Sequence, residues 1–395
     1  MFLAIMATAA QLAVLPFSKH FNHYVPPHSF GQWLPSVGIA AIGVLGVLSI
    51  VLNKSGHWFL GLAALLHLFL ACWTIHFSAK PFIDVWLFHQ DSAAALLRGE
   101  NPYAITFKNV YGEGSVVYSA EVQKDGRVLF GFPYPPMSMW MYLPSYWLTG
   151  ESRYAHAAAY ALSALGIGLM SQRRLARAAA VMLLTAPACW LVISSAWTEP
   201  FLLISLVGLA LVALRVPAWT PVMLGLFLAM KQYNVIFLPL VFLILPRPLK
   251  LRTTGRFFGI AVATGLAVSL PLALWDWAAF WNSNVTIQVK QPFRYDAFSF
   301  LALVANAKPA GFVPPNWWSG IAFALLVPTW AVLLWRLPRN IGGFVLGVSL
   351  TSIVFLFSNR QAFLNYHTFA AGAMLLAIAT LDAVTHRDED PARSP

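Results

Sequence analysis

Residues 57–77 read HWFLGLAALLHLFLACWTIHF, an apolar run without Lys, Arg, Asp or Glu. Its length matches the roughly 20 residues that an α-helix needs to cross a bilayer. A short link, SAKPFI, leads from this run to Asp84. We therefore expect the carboxylate of Asp84 at the membrane surface, where lipid head groups meet water.

The composition of the whole chain extends this prediction. Of its 395 residues, 59% are hydrophobic and only 10% are charged, and the mean hydropathy is +0.68. An ordinary soluble core cannot hide so many apolar side chains. The runs are too long and too continuous for the alternating strands of a β-barrel. The sequence predicts an all-α polytopic membrane protein.

Twelve apolar segments are expected to form about 12 transmembrane helices. The segment 219–245 is counted as one tilted or broken span, although two short spans meeting near Lys231 would also fit its length. With one span, the cluster Arg173, Arg174 and Arg177 falls outside, against the positive-inside rule. The segments are 2–17, 37–52, 57–77, 136–149, 154–170, 178–197, 201–214, 219–245, 257–275, 317–335, 341–357 and 363–381.

The net charge of +11 does not indicate a nucleic-acid partner, because the basic residues form short clusters between apolar runs. Cys72 and Cys189 lie inside apolar runs without motif spacing, which favours neither a disulfide nor a metal site. The first charge is Lys19, so the first segment is interpreted as a retained span and not as a cleaved signal.

The sequence is interpreted as one transmembrane domain, residues 1–384, with two large extracytoplasmic loops at 78–131 and 276–316. Residues 385–395 are expected to form a disordered cytoplasmic tail, because they are rich in charged residues. The prediction places the protein in the plasma (inner) membrane as a multi-pass protein, surrounded by membrane lipids.

The first large loop contains two recognisable patterns. Residues 84–98 lack Pro and Gly and are rich in Ala and Leu, which predicts an interfacial helix that ends at Gly99. Asp84 and Asp91 are two turns apart and would share a face of this helix. Turn signals around a Val-Val-Tyr run predict a hairpin within residues 111–130.

Several short motifs together resemble a known family. Asp84 is followed by LLRGENPY at 96–103, YPP at 134–136, Lys231-Gln232, and QAFLNYH at 361–367. Their order over roughly residues 80–380 resembles the GT-C membrane glycosyltransferases. Within these, the chain is most similar to glycosyltransferase family 87, which uses polyprenol-phosphate-mannose.

The resemblance implies a function and a fold. The function is transfer of a sugar, mannose being the family's common choice, from a polyprenyl-phosphate sugar to a lipid- or glycan-linked acceptor. Transfer would occur with inversion on the extracytoplasmic face, within a GT-C-type helical bundle. Asp84 matches the family's general base, and a partly desolvated carboxylate is suited to accept the proton of an acceptor hydroxyl. The alternative is that Asp84 only caps the interfacial helix. No metal or other cofactor is implied, since the lipid-linked sugar is a substrate.

Other residues are candidates beside Asp84. His367 could orient the acceptor or the phosphate as a second catalytic residue, or only join two helices. The cations Lys290, Arg294 and Arg360 could bind the lipid phosphate, with the arginines favoured because a guanidinium binds phosphate bidentately. Alternatively, they could lie at the interface with their charges in water. Asp91 could contact substrate or belong to a solvated helix face. The predicted substrate- and phosphate-binding residues are Arg294, Arg360, Lys290, Asp91, Gln361 and Tyr366.

Two charges, Glu199 and Lys231, lie inside apolar stretches. A charge in a membrane is costly unless it is paired or faces water, so these residues either pair with each other or mark a site. Such charges also suit a transporter or a flippase of lipid-linked sugars, the alternative to an enzyme. That function predicts two related halves, and no internal repeat is seen. A non-catalytic subunit of a glycan-assembly complex is a third possibility.

Overall fold

The computed structural model describes residues 30–52, 55–309 and 311–389, and the isolated positions Met6 and Ala9. Apart from these two positions, the expected first span at 2–17 lies outside the described residues, as does Lys54. Residues 390–395 of the expected tail lie outside them as well.

Within these ranges the chain is largely α-helical. Short 3-10 turns cover Ala120–Val122, Pro217–Trp219 and Gln232–Leu243, and a π-helical turn covers Asn282–Thr286. The α-helices are α1 (Phe30–Val51), α2 (Gly56–Phe77), α3 (Asp84–Leu97), α4 (Pro136–Thr149), α5 (Arg153–Gly168), α6 (Arg174–Leu184), α7 (Ala188–Ser194), α8 (Glu199–Arg215), α9 (Thr220–Leu228), α10 (Leu251–Ala273), α11 (Trp277–Trp281), α12 (Ile287–Lys290), α13 (Phe300–Asn306), α14 (Trp318–Arg336), α15 (Ile341–Phe357) and α16 (Leu364–Glu389).

Four of the described helices are long and apolar enough to cross a membrane: α2, α10, α14 and the Leu364–His386 part of α16. A fifth span is possible if α6 and α7, which meet at an angle of 58°, count as one broken span. The all-α class and an architecture suited to a membrane are therefore confirmed. The total of about 12 spans stays a prediction.

Two of the predicted apolar segments are interrupted, one next to Pro187 and the other at Lys231. Between α6 and α7 stands Pro187, which lacks an amide hydrogen and disfavours helix in the residue before it. The segment 219–245 breaks at Lys231, whose backbone is extended, with φ −151° and ψ 145°. The segment consists of two short helical pieces that meet at Lys231, which fits one broken span as well as two short spans.

The helices differ in how deeply they are buried. α15 packs along α16, and the Ser349 hydroxyl donates to the carbonyl of Ala370 at 2.9 Å. By contrast, α10 and α14 expose large apolar side chains, with Val262 57% and Phe323 58% exposed. Contiguous exposed apolar surface of this kind indicates contact with lipid or with another protein.

The first large loop folds into α3 and a small antiparallel sheet. Strands β1 (Phe107–Lys108), β2 (Gln123–Lys124) and β3 (Arg127–Val128) lie in the order β1-β3-β2. The hairpin turn is Asp125-Gly126, where both residues have positive φ, 50° and 71°. The helix and the hairpin are confirmed, whereas the Val-Val-Tyr run at 116–118 forms turns and not a strand.

The second large loop contains short helices, and its end meets the turn before α16. The Phe298 amide donates to the Ala362 carbonyl at 2.6 Å, and the Arg294 amide donates to that of Arg360 at 3.4 Å. α16 then continues to Glu389. Helix therefore extends past Thr385, where the disordered tail was expected to begin.

Candidate active site

Asp84 is the first residue of α3, and both of its carboxylate oxygens have hydrogen-bond donors. Oδ1 accepts the Val85 amide at 2.7 Å and the Tyr111 hydroxyl at 3.2 Å. Oδ2 accepts the Tyr118 hydroxyl in a short hydrogen bond. The position at a helix N-terminus also favours a negative charge. Two phenols from a loop are more than a helix cap needs, so the capping alternative does not account for this arrangement.

Burial and hydrogen bonding shift the pKa of the Asp84 carboxyl group in opposite directions. Burial raises the pKa of the carboxyl group and is the largest effect. The hydrogen bonds from Tyr118, Val85 and Tyr111 and the charge of Arg294 lower that pKa, but only in part. The net pKa is raised, which suits a group that takes up a proton during a reaction.

The side chains of Asn109 and Gln123 hold the two tyrosines in place. Asn109 Oδ1 accepts the Tyr111 amide at 3.0 Å, and its Nδ2 donates to Gln123 Oε1 at 2.8 Å. Gln123 Nε2 in turn donates to the Tyr118 carbonyl at 3.1 Å. The sequence prediction missed both tyrosines, because nothing in their spacing relates them to Asp84, 27 and 34 residues earlier.

Asp84 faces a cavity of about 280 Å³ whose walls come from four parts of the chain. One wall is the loop with Tyr118 and Tyr134. Another follows Ala196, whose left-handed backbone, φ 56°, turns the chain between α7 and α8. The remaining walls are the end of the second large loop and the start of α16. Lining residues include Asp84, Tyr111, Tyr118, Tyr134, Trp197, Thr198, Gln288, Gln291, Arg294, Asp296, Gln361, Phe363, Asn365 and Tyr366.

Three predicted binding residues line this cavity with Asp84: Arg294, Gln361 and Tyr366. Arg294 donates from Nε and Nη2 to the carboxylate of Asp296 at 2.8 and 2.7 Å, and its guanidinium lies 4.7 Å from the centre of the Phe363 ring. Gln361 Nε2 donates to the Pro292 carbonyl at 3.0 Å.

The other predicted residues lie elsewhere. Arg360 lines an adjacent cavity, and its Nη2 donates to the carbonyls of Gln288 and Val289 at 3.3 and 3.2 Å. Lys290 forms an exposed ion pair with Glu121 at 3.3 Å. Neither Lys290 nor His367 nor Asp91 lines the cavity at Asp84.

A hydrogen bond of His367 and the place of Asp91 along α3 explain why neither side chain reaches Asp84. A ring nitrogen of His367 bonds to the Phe298 carbonyl at 2.9 Å, so this side chain joins α16 to the second loop. Asp91 shares the helix face of Asp84, as predicted, but seven residues of α-helix place it about 10 Å further along the axis. The geometry therefore does not bring either residue to Asp84.

The adjacent cavity is larger, about 530 Å³, and shares Tyr134, Gln288, Gln361 and Tyr366 with the first. Apolar side chains form most of its wall, among them Val235, Ile236, Phe323, Phe355, Leu356 and Phe369. Lys231 is buried in this wall, 4% exposed.

Lys231 and Glu199 do pair with each other. The Lys231 ammonium donates to Glu199 Oε1 in a short hydrogen bond, and Asn365 Nδ2 donates to Oε2 at 2.7 Å. The ammonium also lies 4.6 and 5.2 Å from the ring centres of Tyr366 and Tyr233, within cation–π range. The pair joins α8, the break at Lys231 and α16.

Two buried polar atoms of this region have no hydrogen-bond partner among the described residues, Thr198 Oγ1 and Asn365 Oδ1. Both residues line the cavity at Asp84. A buried polar atom without a partner is costly. Each of these atoms thus has hydrogen-bonding capacity that is unused among the described residues.

In the described ranges no three His, Cys, Asp or Glu side chains come together as a metal site. Comparisons of the chain with models of protein families, with curated proteins and with solved structures give no match. The family resemblance of the Asp84 and QAFLNYH motifs remains a prediction from sequence.

Proposed function

We propose that this protein is an integral-membrane glycosyltransferase of the GT-C type, with Asp84 as general base. It moves one sugar, mannose in our proposal, from a polyprenyl-phosphate donor to a lipid- or glycan-linked acceptor on the extracytoplasmic side of the plasma membrane. The observation that carries the proposal is the carboxylate of Asp84 in a cavity that also holds Arg294, beside a larger apolar cavity.

The hydrogen bonds of Asp84 indicate which oxygen takes the proton. A carboxylate offers about four acceptor positions, two on each oxygen. Oδ1 has two donors, Val85 and Tyr111, whereas the short hydrogen bond of Tyr118 is the contact of Oδ2. The free acceptor position of Oδ2 is therefore the one assigned to the acceptor hydroxyl.

The proposed reaction is a single inverting displacement. The acceptor oxygen forms a bond to the anomeric carbon while the bond from that carbon to the phosphate oxygen breaks. The electron pair leaves with the polyprenyl phosphate, and the hydroxyl proton moves to Asp84. Rising charge on the leaving phosphate needs a fixed cation nearby.

Arg294 is the cation assigned to the phosphate. Its Nε and Nη2 are bonded to Asp296, and Phe363 lies against its guanidinium, so the side chain is held in one orientation. Nη1 is the nitrogen assigned to a phosphate oxygen. The cavity of about 530 Å³ next to it supplies an apolar wall for the first isoprene units of the donor.

The test is the variant Asp84→Asn, which keeps the shape of the side chain and removes the base. Loss of a general base lowers turnover by roughly 10²–10⁴-fold. The measurement is transfer of labelled mannose from polyprenyl-phosphate-mannose to membrane acceptors, with thermal unfolding as the check of folding. Asp91→Asn, on the same helix and away from the cavity, is the matched control and should keep wild-type activity. Wild-type turnover in Asp84→Asn would contradict the proposal.

A flippase of lipid-linked sugars is the second candidate, favoured by the buried ion pair Lys231–Glu199 in the wall of the larger cavity. A flippase would move a labelled polyprenyl-linked sugar across the membrane of proteoliposomes without forming a glycosidic product. Product formation that depends on Asp84 would decide for the enzyme.

A further inference from the structure

A third cavity, about 440 Å³, adjoins the cavity at Asp84 and has a different character. It shares Tyr118 and Gln291 with that cavity and shares Arg360 with the apolar one. Its volume is within the range of roughly 300–1,000 Å³ that is typical of small-molecule sites. We call it the aromatic groove; its lining includes Tyr118, Gln291, Phe293, Tyr295, Asn316, Trp318, Ser319 and Arg360.

The wall of the aromatic groove combines aromatic rings and polar side chains with six aliphatic residues, Val116, Val289, Pro292, Val313, Pro314 and Pro315. Phe293 contacts both Tyr295 and Trp318, with ring centres 5.2 and 6.1 Å apart. Amide and hydroxyl groups of Gln291, Asn316 and Ser319 lie among these rings. Rings that pack on the apolar faces of a sugar, next to amides that bond its hydroxyls, are suited to a saccharide. A polyprenyl chain would leave those polar groups unpaired.

The charged side chains of the lining bear on which saccharides the aromatic groove can bind. Among the described residues that line the aromatic groove, Arg360 is the one charged side chain. Its Nη2 is already bonded to two carbonyls, those of Gln288 and Val289. The described lining of the groove therefore holds one positive charge and no carboxylate, so neither neutral nor acidic sugar residues meet charge repulsion there.

Tyr118 connects the aromatic groove to the proposed base. The side chain lines both cavities, and its hydroxyl is the hydrogen-bond donor to Asp84 Oδ2. A saccharide in the groove would thus pass Tyr118 and present its terminal hydroxyl to the oxygen assigned above to proton transfer. We infer that the aromatic groove binds sugar residues of the acceptor, which makes the acceptor a glycan; this inference rests on the proposed function.

The test measures saccharide binding without any transfer. The full-length protein in detergent is titrated with mannotriose, maltotriose and arabinotriose, and saturation-transfer NMR reports which saccharide binds. At least one should bind to the wild type. Trp318→Ala should weaken that binding by about tenfold or more, because it removes the largest ring of the groove. Asn316→Ala, at an exposed position, should weaken it several-fold and does not depend on core packing.

The matched control is Trp335→Ala, since Trp335 lies near the other end of α14, is 73% exposed and does not line the groove. It should bind like the wild type. Absence of binding to the wild type would overturn the inference. Undiminished binding by both Trp318→Ala and Asn316→Ala, or displacement of the saccharide by polyprenyl phosphate, would overturn it too.

Failure of the inference can be told apart from failure of the proposed function. Saccharide binding requires no donor, so the wild type should bind the saccharide in the absence of any polyprenyl-phosphate sugar. Binding without any transfer by the wild type would contradict the glycosyltransferase and leave the groove as a saccharide site. If the wild type transfers sugar and no bound saccharide inhibits this transfer, the acceptor-binding role of the groove is contradicted, whereas the proposed function is not.

Discussion

At the scale of single residues, the two oxygens of Asp84 differ in their surroundings, and Tyr118 is the source of the difference. Burial raises the pKa of this carboxyl group, and the hydrogen bond from Tyr118 is the largest opposing effect. A phenol that donates to a carboxylate stabilises its ionised form. Tyr118 is thus a positioning residue in our proposal, because it acts through Asp84.

Tyr118→Phe should move the acidic limb of the pH–rate profile to higher pH. Removing the donor raises the pKa of Asp84 further, and a general base must be ionised, so activity is lost at a higher pH than in the wild type. The measurement is kcat/KM for transfer across the acid range. Tyr154→Phe, on α5 and away from the cavity at Asp84, should leave the profile unchanged. An unmoved limb in Tyr118→Phe would contradict the role of Tyr118.

At the scale of elements, the first large loop is joined to its surroundings where it ends, at Gly131. The Gly131 amide donates to Ser283 Oγ at 2.9 Å, and the Phe132 amide donates to the Pro102 carbonyl at 2.9 Å. A side chain on Gly131 would place its Cβ 2.1 Å from the Tyr103 carbonyl oxygen. The close approach of two backbone segments thus requires glycine at this position.

Gly131→Ala should destabilise the protein by about 1–3 kcal/mol, because overpacking moves backbone that has no free space. The measurement is the free energy of unfolding in detergent. Gly61→Ala is the control, since a Cβ there meets no atom within 4 Å and alanine favours helix more than glycine does. Equal stability of Gly131→Ala and the wild type would refute the close approach.

At the scale of the whole molecule, the Glu199–Lys231 pair and Asn365 join three segments that are far apart in sequence. Removing one member of a buried ion pair costs about 3–5 kcal/mol, since the other charge is left without a partner. Glu199→Gln should therefore lower the free energy of unfolding by about that amount. The double variant Glu199→Gln/Lys231→Met should recover part of the loss.

The control for this prediction is an exposed ion pair, Arg98–Glu100, whose nitrogen and oxygen are 2.7 Å apart. Exposed pairs contribute about 0–1 kcal/mol, so Glu100→Gln should hardly change stability. If Glu199→Gln lowered the free energy of unfolding as little as Glu100→Gln does, the stabilising role of the Glu199–Lys231 pair would be contradicted. Thermal and denaturant unfolding in the same detergent allow the comparison.

The sequence by itself determined the helical class, the apolar segments and the position of Asp84 at the start of a helix that follows one of them. These features depend on local composition, such as the run 57–77 and the absence of Pro and Gly from 84–98. Segment 219–245 marks the limit of this prediction, because its length allowed one tilted or broken span or two short spans. At the break the Lys231 ammonium pairs with Glu199, a partner that local sequence does not specify.

Only the tertiary structure decided which candidates meet. Asp84, Tyr118, Arg294 and Gln361 are brought together by hydrogen bonds between loops, such as the one from Phe298 to Ala362. His367, Lys290 and Asp91 carry equally suitable groups, yet their side chains bond or lie elsewhere. The physical reason is that a side chain's chemistry is local, whereas its neighbours depend on the packing of segments hundreds of residues apart.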